Sequence, residues 1–140
     1  MKYKTETSAG GIVFKKVGEQ TLWLVTQHSQ HKHWGFPKGL VGDEDENESK
    51  ETAALREVRE EGGVVAKIVN PIPAEALYKY TFEETLIEKK VYYFLMEYKS
   101  GDPKDHDWEV SDAKFVTEDE VRKTLSYKTE KEAFEEILKK

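Results

Sequence analysis

The stretch GDEDENESKETAALREVREEGGV, Gly42 to Val64, decides how this chain is read. On a helical wheel at about 100° per residue, with Glu57 as zero, Glu61 falls at about 40° and Glu60 at about −60°. These carboxylates crowd one face within a single turn. Ala53 and Ala54 fall near the same meridian one turn earlier, where small side chains leave space beside the acids. Leu55 and Val58, at about 160° and 100°, form the apolar stripe that docks the helix. Asn47 or Asp45 is placed to cap its start and Gly62-Gly63 to end it, so a helix is expected over 47–61. Like charges at this spacing destabilise a helix by a few tenths of a kcal/mol per pair. Near the C-terminal end they also oppose the helix dipole. Arg56 and Arg59 offset part of this. One reading is a solvated acidic face laced with Arg–Glu pairs. The other is a divalent cation, because hard ions such as Mg²⁺ take oxygen ligands and keep waters for a phosphate substrate.

Outward from this helix, residues 5–15 and 21–27 read as strands joined by a polar turn at Lys16–Gln20. Gly10-Gly11 inside the first strand marks either a bulge or a close approach by a ligand or another backbone. Residues 28–46 read as a long loop, which a compact domain rarely carries without a functional reason. Its acidic run, Asp43 to Glu46, reads as solvated. Strands are expected over 64–69, 74–82, 87–98 and 112–116, with a hairpin turn near Glu83-Glu84. Thr117 and Glu120 form a capping-box pattern before a helix through Leu125. Thr129 and Glu132 repeat it before a terminal helix whose apolar face carries Ala133, Phe134 and Ile137. Hairpins mixed with helices place the chain in the α/β class of the α+β type, a mixed sheet flanked by helices.

The chain has 140 residues and a net charge of −6, which suits one domain over 1–140. Hydrophobic residues make up 37%, and 7 Tyr, 6 Phe and 3 Trp argue against disorder. No apolar run approaches the roughly 20 residues of a membrane span. The start, MKYKTETSAGG, lacks the apolar core of a secretory signal. There is no cysteine, which excludes disulfides and thiolate metal sites. A cytoplasmic enzyme is the expectation. The acidic balance disfavours a passive nucleic-acid binder, but not an enzyme that meets phosphates through metal ions.

The Gly42–Val64 stretch also resembles the Nudix hydrolase box: Gly42, Glu48, then Arg56-Glu57-Val58-Arg59-Glu60-Glu61-Gly62-Gly63-Val64. With even residue usage such a match has odds on the order of 10⁻¹⁰ per start position. SAGGIVF, the WGFPKG at 34–39 and the WEVSDAKFV at 108–116 are similar to the same family, so the resemblance covers nearly the whole chain. It implies a mixed sheet sandwiched between helices, α/β/α. In many relatives the glycine of Pro-Lys-Gly is itself the first of the box; here Gly39 and Gly42 both suit that place.

The resemblance further implies Mg²⁺- or Mn²⁺-dependent hydrolysis of a nucleoside diphosphate linked to another group. Carried over by position, Glu57, Glu60 and Glu61 are metal ligands, and Arg56 holds the carboxylates through charge-assisted hydrogen bonds. Glu48 supports the helix start. Glu109 matches a late glutamate that serves as a further ligand or as the base, with Asp112 as its fallback. Glu60, Glu61, Arg56 and Glu109 are the catalytic candidates. The flanks resemble asymmetric diadenosine tetraphosphate hydrolases, which implies cleavage to ATP and AMP by water attack on a terminal phosphorus. Lys38, His33 and Lys90 are then phosphate contacts, and Tyr78 or Tyr80, together with Tyr127, are base contacts. Tyr92 and Tyr93 must point to opposite faces of a strand. Other readings are removal of pyrophosphate from RNA 5′ ends, hydrolysis of oxidised nucleoside triphosphates, and a nucleotide-sensing domain without turnover. Monomer and homodimer both remain open.

Overall fold

The computed structural model describes residues 2–42 and 46–139. Its elements run β1 (Lys2–Val17), β2 (Gln20–His28), β3 (Trp34–Gly35), β4 (Lys38–Leu40), α1 (Lys50–Gly62), β5 (Val64–Ile68), β6 (Ala74–Phe82), β7 (Thr85–Gly101), β8 (Val110–Val116), α2 (Glu118–Thr124) and α3 (Lys128–Leu138). A short 3₁₀ turn at Pro103–Asp105 precedes β8.

The strands form one mixed sheet whose main path is β3-β2-β1-β7-β5, with β4 also on β1, β6 on β7 and β8 on β2. Its spine is the parallel pair of β1 and β7, in register from Lys2↔Thr85 to Phe14↔Glu97. The remaining pairs are antiparallel. Alternation along β1 divides the core into two layers. Ala9 and Val13 pack with Leu24, Phe94 and Met96 under Ala53, Ala54 and Val58 of α1. Ile12 packs with Trp23, Val25, Val91 and Tyr93 under Val121 of α2 and Ala133, Phe134 and Ile137 of α3. The architecture is the expected α/β/α sandwich. Among the described residues no helix is long and apolar enough to cross a membrane.

Local chemistry sets the helix ends. Ser49 caps α1, its side chain accepting the Thr52 N–H at 3.1 Å. The expected cap at Asn47 is therefore two residues early, and Asp45 lies outside the described residues, as do Asp43 and Glu44. Gly63 ends α1 at φ 72°, a left-handed conformation that suits glycine, and returns its N–H to the Arg59 carbonyl. Thr117 and Glu120 form the expected capping box on α2. On α3 the box does not form: Tyr127 takes the cap position without a side-chain bond, and Thr129 lies inside the first turn. Leu55 is 38% exposed and does not dock α1; Ala53, Ala54 and Val58 do, leaving no open space there.

The region expected as one long loop contains β3 and β4, whose residues fold back onto β1 and β2. Gly10 and Gly11 lie where this backbone approaches. A Cβ on Gly10 would clash with Pro37 and Lys38, and the Gly11 N–H donates to the Pro37 carbonyl at 3.1 Å. The parallel register with β7 runs unbroken through both glycines, so the close-approach reading holds and the bulge reading does not.

Candidate active site

The C-terminal half of α1 carries a buried ion cluster. Arg56, 8% exposed, spreads its guanidinium over three carboxylates: Nε to Glu48 at 2.8 Å, Nη1 to Glu57 at 2.6 Å and to Glu60 at 3.0 Å. Nη2 also reaches Glu48 at 3.0 Å and the Leu40 carbonyl at 3.3 Å. This planar fork satisfies several acceptors at fixed angles, which an ammonium does not. The Gly42 N–H donates to Glu48 at 3.2 Å, so Gly42 serves the helix start. Gly39 serves the other end of the cluster: a Cβ there would collide with the Glu57 carboxylate.

The segment Phe36–Lys38 runs beside these acids. The Lys38 N–H donates to Glu61 Oε1 at 3.2 Å. Burial pushes the Glu61 carboxyl up to about 8, against the Lys38 N–H and with repulsion from Glu57 and Glu109. Burial likewise pushes Glu57 up to about 7, with Arg56 opposing and Glu60 adding. Glu48 is held below the usual carboxylate range by its Arg56 hydrogen bonds. Glu109 thus stands close enough to repel Glu61, although it lies 48 residues on in the chain. The loop before β8 brings it there. Asp107 donates its N–H to the Glu60 carbonyl at 2.8 Å, and the Ser29 N–H donates to the Glu109 carbonyl at 2.9 Å. Asp112 pairs with Gln27 within the β2–β8 ladder.

An open cleft of about 500 Å³ adjoins the cluster, lined by His28, His31, His33, Lys38, Tyr78, Tyr80, Lys89, Tyr127 and Glu130. The His28, His31 and His33 rings stack, with centroids 4.8 to 5.7 Å apart, and Tyr127 meets His33 edge-on at 5.0 Å. Burial, with Lys38 and the neighbouring histidines, pushes His33 down to about 4, so it is neutral at physiological pH. A smaller cavity shares His28, His33 and Lys38 with the cleft and reaches Glu61.

Of the sequence-derived candidates, Lys38, His33, Tyr78, Tyr80 and Tyr127 meet in this cleft. Lys90 does not. It pairs with Glu75 at 3.3 Å and lies near Tyr92 on the opposite face of the sheet. Its neighbour Lys89 enters the cleft instead, opposite Tyr78 in the β6–β7 register. Lys89 belongs to the same hairpin that carries the subfamily resemblance, and the cleft also takes in His28, His31 and Glu130, which sequence reasoning missed. Lys89 and Glu130 had a signal. A two-residue turn at Glu83-Glu84 already puts residue 89 across from 78. Residue 130 lies at helical spacing from Ala133, Phe134 and Ile137.

The donors at the cluster are all oxygen, which suits a hard cation such as Mg²⁺ or Mn²⁺. Arg56 holds Glu57 and Glu60, and among the described residues no three acidic or histidine side chains stand as a finished cage. What fits the ion is the raised protonation of Glu57 and Glu61, which a cation relieves, and the Gly39 surface on which Glu57 rests.

The NUDIX domain model matches residues 4–137. The chain belongs to the Nudix family. Among curated proteins it is 28% identical, over 149 aligned positions, to a Mycobacterium tuberculosis protein carrying the name mutator protein MutT4. That alignment takes in all of this chain and 58% of the relative, so the chain spans little more than half of its length. Among solved structures, a C. elegans Ap4A hydrolase binary complex is 24% identical, with a TM-score of 0.74 over 95% of this chain and 97% of that one. The NUDIX domain of Shewanella oneidensis NrtR, complexed with ADP ribose, is 23% identical, with a TM-score of 0.66 over 96% and 88%. These likenesses establish the Nudix fold for the chain.

Proposed function

We propose that this Nudix domain is a Mg²⁺- or Mn²⁺-dependent pyrophosphohydrolase of nucleoside polyphosphates, with diadenosine tetraphosphate as the leading substrate and ATP and AMP as products. The observation that carries this reading is the adjacency of the α1 carboxylates to a cleft walled by cationic and aromatic side chains. Lys38 and Lys89 suit phosphates lying beyond the cluster, and the exposed rings of Tyr80 and Tyr127 suit a base, each stack being worth roughly 1–3 kcal/mol. Glu57, Glu60 and Glu61, with Glu109, are the residues that would hold the ion. When bound, the ion supplies charge neutralisation and acidifies water for attack on phosphorus. Arg56 fixes the carboxylates, the Lys38 N–H orients Glu61, and Glu109 is the candidate to accept the proton of the attacking water. The Ap4A hydrolase likeness supports the dinucleotide, and the family supports the bond cleaved. A cytoplasmic site of action belongs to the same proposal.

Product chromatography with Mg²⁺ tests it on diadenosine tetraphosphate, 5′-triphosphorylated RNA, canonical and oxidised nucleoside triphosphates, and ADP-ribose. The expected result is ATP plus AMP from the dinucleotide, lost in a Glu57→Gln, Glu61→Gln double variant. Preference for another member of the panel replaces the substrate. Binding without turnover replaces the enzyme by a sensor.

A further inference from the structure

Glu130 is a buried carboxylate to which the proposed reaction gives no part. It lies in the first turn of α3 and is 2% exposed. Its Oε2 accepts the Phe36 N–H at 3.2 Å and the Tyr93 hydroxyl at 3.3 Å. A Cβ on Gly35 would collide with the same oxygen. Burial pushes its carboxyl up, and the charges of Lys38 and Lys89 work against that. An apolar side chain at 130 would continue the face made by Ala133, Phe134 and Ile137. Burying a carboxylate there is unfavourable unless it is well bonded, so its bonds indicate its use.

Those bonds meet a second grip from the far side of the sheet. Glu61 on α1 accepts the Lys38 N–H at 3.2 Å, two residues from the amide that Glu130 holds. Pro37 between them has no N–H, and its carbonyl accepts the Gly11 N–H at 3.1 Å. Three consecutive residues are thus fastened by α3, β1 and α1. A misplacement of about 1 Å near a reacting centre can cost on the order of 100-fold in rate, so what pins this segment bears on the carboxylate beside it.

We infer that Glu130 is a positioning residue: by holding the Phe36–Lys38 segment from α3, it sets the place of the Lys38 N–H and hence of the Glu61 carboxylate. Its effect on turnover rests on the proposed hydrolase reading; its effect on the segment does not. Gln at 130 keeps a carbonyl oxygen for both donors without the charge, whereas Leu removes the acceptor at similar volume. Asp keeps the charge on a shorter stem and serves if the Leu variant does not fold. Ile137→Val loosens α3 away from the segment.

The test combines amide hydrogen exchange at Phe36 and Lys38 in the metal-free protein with steady-state kinetics. Glu130→Leu, or Glu130→Asp in its place, is expected to speed exchange at both amides by at least about tenfold. It is also expected to lower kcat by about 10–100-fold, the range seen when support of a metal-site carboxylate is lost. KM is expected to change less, because the flexible Lys38 side chain can still reach its phosphate. Glu130→Gln restores both readouts to within about threefold of wild type, and Ile137→Val lowers the melting temperature without moving either. Wild-type exchange in the Leu or Asp variant, or a Gln variant as impaired as they are, overturns the inference. If the wild-type protein turns over nothing in the panel, the hydrolase reading fails and the exchange data alone decide the role of Glu130.

Discussion

The Glu57 carboxylate rests on the α-carbon of Gly39, and no side chain fits between them. The loop glycine and the helix glutamate are 18 positions apart, and together they close one side of the acidic cluster. Gly39→Ala is expected to push the Glu57 carboxylate off this surface while β4 keeps its pairing with β1. Mg²⁺ affinity should fall by about 10–100-fold, read by isothermal titration, with circular dichroism unchanged. Unaltered affinity would remove Gly39 from the site.

If Glu57 and Glu61 hold the proposed ion, protons compete with it for both carboxylates. Their folded-state carboxyls stand at about 7 and about 8, above the unfolded value, because burial disfavours the charge. The folded chain therefore binds more protons than the unfolded chain as pH rises past about 4.5. The stability this contributes is present below the unfolded value and is lost as pH rises through 7 and 8. The metal-free protein is expected to melt lower at about pH 9 than at about pH 6, and Mg²⁺ to raise the melting temperature more at the higher pH. Calorimetry with and without Mg²⁺ at both values checks this. A larger Mg²⁺ effect at the lower pH would contradict it.

How far the sequence carried the site depends on the range of the contacts. The Glu57, Glu60 and Glu61 cluster follows from spacing on one helix, so the wheel found it. The same wheel misplaced Leu55, because it treats charged residues as solvated, whereas Arg56 and Glu57 are themselves buried and turn α1 toward their side. The Ser49 cap was masked by a run of equally good capping residues before it. The grip of Glu130 on Phe36 spans 94 positions and joins elements with no shared local pattern, so no window of sequence contained it. The long loop was recognisable as unusual, but its β3 and β4 pairings depend on partners in β1 and β2.

Arg56 neutralises carboxylates that solvent barely reaches. Glu48 and Glu57 side chains are 5% and 7% exposed beside it. Removing one member of such a buried set leaves uncompensated charge, at a cost of about 3–5 kcal/mol. Arg56→Ala is expected to lower unfolding free energy by that amount in urea titration at neutral pH. Arg56→Lys should recover less than half of it, because one ammonium cannot span Glu48, Glu57, Glu60 and the Leu40 carbonyl. Equal stability of the Lys variant and wild type would show that charge alone, without the fork, suffices.

Lys89 and Lys90 are adjacent in sequence yet on opposite faces of β7, and they provide an internal control for the cleft. Lys89 stands across from Tyr78, and burial and Lys38 push its ammonium below its usual range. Lys90 is bound to Glu75 on the other side. Lys89→Ala is expected to raise KM for a nucleoside polyphosphate by roughly tenfold, the equivalent of about 1.4 kcal/mol for one charge-assisted phosphate contact. Lys90→Ala should leave KM within about twofold, since the Glu75 pair is exposed and such pairs contribute little. The same comparison made with inorganic tripolyphosphate as a competitive inhibitor separates phosphate contact from base contact. Its inhibition constant should rise for Lys89→Ala and stay fixed for Tyr127→Ala, whose loss falls on the base. Equal sensitivity to both lysines would mean that the substrate crosses the sheet edge rather than entering the cleft.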